Sequence, residues 1–230
     1  MTLQKDFDMG FIEKLQSTFK VNSSRELAIP MENYMKNLFP FFGIKTEKRR
    51  TLLKSVWQSH QEEVKQQTRE IAMELFSQQE RELHYCAIEI LIKNLKSNYQ
   101  LSDINLIEKL LTTNSWWDSV DTISKYLLGS YLNAFPNETE KVIQRFSNSD
   151  NMWLNRAAIL FQLGYKQKTN SEILFRECHK HADSREFFIQ KAIGWALREY
   201  SKYNPLGVKA FVKHANLKPL SNKEALRNIS

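Results

Sequence analysis

Glycine and proline are scarce in this chain, six and five among 230 residues. The six glycines are scattered and nowhere take the spacing of a Rossmann or P-loop phosphate cradle, which excludes those routes to nucleotide cofactor binding. Cysteine occurs twice, as Cys86 and Cys178, each inside an apolar helical pattern and without metal-ligand spacing. A reduced, cytoplasmic setting is expected from that usage. Long apolar runs are also missing: AAILFQLGY (157–165) is too short to cross a bilayer, and MTLQKDFDMGF at the start has no signal-peptide core. The histidines include His179 and His181, but no third ligand follows at zinc spacing, and no nucleophile elbow or Cys/His pair stands out. No metal, cofactor or membrane partner is expected.

What is present is helical patterning throughout. Apolar residues recur at three- and four-residue spacing, with no sustained alternation of the β type. Helices are expected to begin near Phe7, Glu26, Glu47, Glu62, Glu80, Ser102, Ser115, Pro136, Asp150, Asn170, Ser184, Pro205 and Ser221. Pro136 and Pro205 suit first-turn positions, Gly164 suits a helix end, and Asp183 with Glu186 forms a capping-box pattern. Connections of a few residues imply that neighbouring helices pack as antiparallel hairpins, giving an all-α fold.

The helices also repeat. RELHYCAIEILI (81–92), DNMWLNRAAILFQL (150–163) and REFFIQKAIGWAL (185–197) share an apolar–x–x–Ala–apolar rhythm. Their alanines, Ala87, Ala157 and Ala192, lie 70 and then 35 residues apart, and the intervening register holds Thr122. Beside these stand Ile88, Ile123, Ala158 and Ile193, and one residue before them Cys86, Asp121, Arg156 and Lys191. A hairpin every 35 residues is a solenoid period in the range of tetratricopeptide or HEAT-type repeats, between which periodicity alone does not choose. Equivalent positions of stacked repeats point the same way, so Asp121, Arg156 and Lys191 should be near neighbours.

NSWWDSVD (114–121) opens the helix that carries Asp121. Trp116, Val120, Ile123, Leu127 and Tyr131 make a core stripe, which puts Trp117 on a different stripe one turn before Asp121. Ser115 and Asp118 read as a capping pair, and Asp118 also suits the positive helix start. Asp121 lies beyond the first turn. It is either a salt bridge to Arg156 or Lys191 that pins adjacent repeats, or a functional carboxylate. Trp195, four residues after Lys191, is either core or the counterpart of the Trp117 and Asp121 pairing.

The formal net charge is +7, which makes nucleic acid a candidate partner. Basic residues gather in GIKTEKRRTLLK (43–54), with Lys45, Lys48, Arg49, Arg50 and Lys54, and in YKQK (165–168), with Lys166 and Lys168. Alone, each cluster reads as a solvated surface; with Arg156, Lys191 and Arg198 they would line a basic groove able to contact phosphates.

PMENYMKNLFPFFGIKTEKRR (30–50), SWWDSVD (115–121), SDNMWLNRAAILFQLGYKQK (149–168) and EFFIQKAIGWALREY (186–200) closely resemble the AlkD-like DNA alkylation repair glycosylases. The resemblance spans about residues 5–229 in the same order. It implies one domain over 1–230, folded as a right-handed solenoid of HEAT-like helix pairs with a basic concave groove. It also implies a monomeric, monofunctional glycosylase that hydrolyses the N-glycosidic bond of positively charged alkylpurines, N3-methyladenine and N7-methylguanine, in duplex DNA, with the base still stacked. The family's catalytic aspartate falls on Asp121 and its active-site tryptophans on Trp117 and Trp195. Its DNA-contacting arginine falls on Arg156, and its N-terminal motif supplies Tyr34, Lys45, Thr46, Arg49 and Arg50. Many members have proline after the threonine of that motif, where this chain has Glu47. Two other readings stand beside this one: a non-catalytic solenoid for distorted or branched DNA, and a protein-binding scaffold with little of the salt dependence that phosphate contacts bring.

Overall fold

The computed structural model describes residues 9–227, and every regular element among them is helical. The helix start expected near Phe7 lies outside the described residues. The chain clusters into two compact units that divide between Asn98 and Tyr99.

The first unit contains α1 (Phe11–Val21), α2 (Arg25–Tyr34), α3 (Thr46–Ser59), α4 (Gln61–Gln66), α5 (Thr68–Ser77) and α6 (Arg81–Leu95). Phe11, Leu15 and Phe19 recur every fourth residue, so α1 buries one stripe completely. The helix expected from Glu62 onward is broken at Gln67, where the Thr68 hydroxyl donates back to the Val64 carbonyl at 2.6 Å. The chain between α2 and α3 is anchored by Glu82 of α6, which is fully buried. Its carboxylate accepts from the backbone N–H groups of Phe42, Gly43 and Ile44 at 3.1, 2.9 and 3.0 Å. Burial pushes the Glu82 carboxyl up, and those three donors pull against it. Gly43 has φ +81°, and a Cβ there would lie 2.0 Å from the Ser24 carbonyl oxygen, so no other residue fits this turn.

The second unit runs α7 (Asp103–Thr112), α8 (Trp117–Thr122), a π-helical stretch (Ile123–Leu128), α9 (Gly129–Ala134), a 3-10 turn (Pro136–Glu138), α10 (Thr139–Ser147), α11 (Met152–Leu160), a second 3-10 turn (Lys166–Lys168), α12 (Ser171–Lys180), α13 (Phe187–Ser201), α14 (Pro205–His214) and α15 (Pro219–Leu226). Sequential helices pair, α10 with α11, α12 with α13 and α14 with α15. Across the pairs α8, α11, α13 and α15 pack in succession. That succession is the stacking the 35-residue period predicts. Ala87, Ala157, Ala192 and the apolar residues beside them are buried, while Thr122 is half-buried.

Asparagines start several of these helices: Asn151, Asn170 and Asn204 accept from Trp153, Ile173 and Gly207 N–H groups at 2.9, 3.1 and 2.9 Å. Pro136 and Pro205 occupy first positions as expected. Two expected caps do not form. Ser115 donates backward to the Leu111 carbonyl at 2.6 Å, so the next helix begins only at Trp117, without a side-chain cap. Asp183 does not cap either: α13 begins at Phe187, and it is Ser184 that accepts from the Glu186 N–H, at 3.3 Å.

Candidate active site

Asp121 lies in α8, four residues after Trp117, and the chain continues through a π-helical turn. Two tyrosine hydroxyls donate to backbone carbonyls near its end, Tyr99 to Leu127 at 3.2 Å and Tyr165 to Gly129 at 2.5 Å. Burial pushes the Tyr99 phenol up to about 12 and the Tyr165 phenol up as well. Beneath the turn Val120, Ile123, Leu127 and Tyr131 are fully buried, so the expected core stripe holds.

One repeat later, Arg156 of α11 meets the Asp121 carboxylate side-on, Nε to Oδ1 at 2.7 Å and Nη2 to Oδ2 at 2.9 Å. Its remaining Nη1 donates to the Phe188 carbonyl at the start of α13, so one guanidinium ties α8, α11 and α13 together. Arg156 is 4% exposed, whereas the Asp121 side chain keeps 14% of its surface. Burial pushes the Asp121 carboxyl above its ordinary range. The Arg156 hydrogen bonds and charge oppose that rise, and Asp118 adds to it.

Arg156 also lies 6.0 Å from the Phe188 ring centroid. Trp116, Trp153 and Phe188 form a cluster with ring centroids 5.1 to 5.8 Å apart. Trp116 therefore packs, as its stripe predicts. Trp117 is half-buried at the first position of α8. Trp195 is half-buried on α13 and packs against the core that includes Ile159, Leu174 and Val208.

Lys191 does not join Asp121 and Arg156 in one ion pair. It donates to Glu224 Oε1 of α15 at 3.0 Å, and Arg198 binds the other oxygen of the same carboxylate. These contacts hold the Glu224 carboxyl below its ordinary range, the Lys191 hydrogen bond most of all. Gly194 makes the approach possible, because a Cβ there would lie 2.4 Å from Glu224 Cβ.

The expected DNA contacts thus divide by exposure. In the second unit Lys166 and Lys168 are exposed on a 3-10 turn. Lys191 is 38% and Arg198 22% exposed, both tied to Glu224. In the first unit Tyr34, Lys45, Thr46 and Arg50 are exposed around the end of α2 and the start of α3. Arg50 also reaches Glu89 at 3.1 Å. Arg49 and Arg156 are buried, and both direct their guanidinium groups at carboxylates inside the protein, Arg49 at Glu89 and Arg156 at Asp121. Arg49 also lies 4.8 Å from the Tyr85 ring centroid.

Sequence reasoning missed Glu89, Glu224 and Phe188. The period offered a signal for Phe188, which falls 35 residues after Trp153. Glu224 follows Lys191 by 33 residues, near the same register but off it.

The family profile described as DNA alkylation repair enzyme matches residues 15–229. A solved structure described as a predicted DNA alkylation repair enzyme from Enterococcus faecalis is 31% identical, with a TM-score of 0.80 over 90% of this chain and 97% of that one. The Streptococcus mutans protein smu.31 shares the fold at 17% identity and a TM-score of 0.56, over 80% of this chain and 98% of its own. A comparison with curated proteins finds no match. With its helices stacked at the repeat period and the profile matching nearly end to end, this chain belongs to the DNA alkylation repair enzyme family.

Proposed function

We propose that the chain is a monofunctional DNA glycosylase that hydrolyses the N-glycosidic bond of N3-methyladenine and N7-methylguanine in duplex DNA, the first step of base excision repair. It acts as a monomer without a nucleotide cofactor, in the cytoplasm. The observation that supports this most is the Asp121 carboxylate: it is fixed side-on by a buried arginine and keeps 14% of its side-chain surface exposed. It stands one helical turn after Trp117, which is half-buried.

The chemistry suits such a group. Alkylation at N3 or N7 makes the purine cationic, so it departs neutral and needs little acid catalysis. Positive charge moves onto the sugar as the bond breaks, and a preorganised carboxylate stabilises charge that develops in the transition state. The same carboxylate orients a water and takes its proton as the water attacks the anomeric carbon. Arg156 acts as a positioning residue, holding Asp121 in one geometry from behind. Trp117 and Trp195 would offer ring faces to the cationic nucleotide, each worth about 0.5–2 kcal/mol. Lys191, Arg198, Lys166 and Lys168 supply positive charge for the phosphates.

A second reading has one observation in its favour. The Asp121–Arg156 pair is also an inter-repeat tie, which a non-catalytic solenoid for distorted or branched DNA would keep. Incubation with methylated duplex DNA, followed by mass analysis of the released bases, separates the two: free methylpurine supports the glycosylase, and intact DNA with tight binding supports the alternative.

A further inference from the structure

The first unit holds a groove of about 600 Å³, walled by α3 and α4 on one side and α6 on the other. Arg50, Lys54, Lys65 and Lys93 border it together with Trp57. The Lys93 ammonium lies 4.5 Å from the Trp57 ring centroid. Two carboxylates line the groove against these four cations, Glu62, which is exposed, and Glu89, which is already bound to Arg49 and Arg50. Lys54 and Lys65 are exposed and have no carboxylate partner among the described residues.

We propose that this groove binds one unpaired nucleotide, its base stacked on Trp57 and its phosphate held by Lys54, Lys65 and the displaced Lys93. This takes DNA as the partner proposed above. An indole face that receives a cation also receives a base, since every base has a π-face and stacking is tolerant of sequence. Lys93, once moved from the ring, stays close enough to meet the phosphate of the same nucleotide. Gln58 and Gln61 line the same wall, and their amides offer a donor and an acceptor to the base edge. The volume falls in the range of small-ligand sites, roughly 300–1,000 Å³. A paired base inside a duplex exposes an edge and no face, so the fit is to an unpaired nucleotide. An acidic peptide would use the cations and leave the indole without a partner.

The test uses the full chain and four probes: a paired duplex, the same duplex with a gap of unpaired adenines, free deoxyadenosine monophosphate, and polyglutamate. DNA binding is read by anisotropy and the free nucleotide by indole quenching. Trp57→Leu is expected to weaken gapped-DNA binding about tenfold, with paired-duplex binding changed less than about twofold. The exposed pair Lys54→Gln with Lys65→Gln, both at solvent-exposed positions, should weaken gapped-DNA binding and reduce its salt slope by about one, the share of a single phosphate. Quenching by the monophosphate that disappears in Trp57→Leu would show that a free nucleotide also enters. No quenching, with the gapped-DNA loss intact, assigns the nucleotide to the strand. Equal weakening of both DNAs, no weakening in either variant, or polyglutamate binding as tight as gapped DNA overturns the proposal. Base release is not the readout, so this proposal and the glycosylase reading fail separately.

Discussion

Arg156 and Asp121 face each other side-on across one repeat, with two hydrogen bonds of 2.7 and 2.9 Å between α11 and α8. Arg156→Ala leaves a largely buried carboxylate without its counter-charge. The expected cost is about 3–5 kcal/mol of stability, measured by denaturant unfolding. Arg156→Lys keeps the charge but loses the fork, so it should recover part of the stability and little of the base release.

Base release should fall on acidification with a midpoint above the ordinary aspartate value of 3.8, because the anion is the working form and burial raises its proton affinity. The stability contribution runs the other way. A folded-state value above the unfolded one is favourable below the unfolded value and is lost as pH rises through the folded one. Rate against pH, corrected for spontaneous loss of base, checks the first trend, and melting against pH the second.

Glu224 holds Lys191 and Arg198 through one carboxylate. Glu224→Gln removes that competing anion and leaves both cations for phosphate. Duplex affinity should rise at low salt, with a steeper dependence on salt concentration, in a binding titration over several salt concentrations.

Gly194 lets α15 approach α13. Gly194→Leu forces the helices apart and should cost about 1–3 kcal/mol in thermal or denaturant unfolding, together with the Glu224 contacts.

The helical class and the repeat were legible because both rest on apolar spacing, which burial enforces: Ala87, Ala157 and Ala192 are all fully buried at the expected register. The Asp121–Arg156 contact was legible for the same reason, as one of two readings of the lattice. Lys191 departs from it because the following repeat presents Glu224 to Lys191 directly, a long-range choice that local sequence does not reveal. The burial of Arg49 was hidden too, since its cationic neighbours Lys48 and Arg50 face solvent. Helix starts at Ser115 and Ser184 were misplaced by two or three residues because local side-chain hydrogen bonds to the backbone won over the capping pattern. The π turn at Ile123–Leu128 leaves the apolar stripe intact, so periodicity gives no sign of it.

The most direct measurement is release of 7-methylguanine from methylated duplex DNA by Asp121→Asn, per folded molecule, with duplex binding measured in parallel. Release is expected to be abolished while binding is largely retained. Release at the wild-type rate from a variant that is merely less stable would contradict it and leave Asp121 as an inter-repeat tie alone.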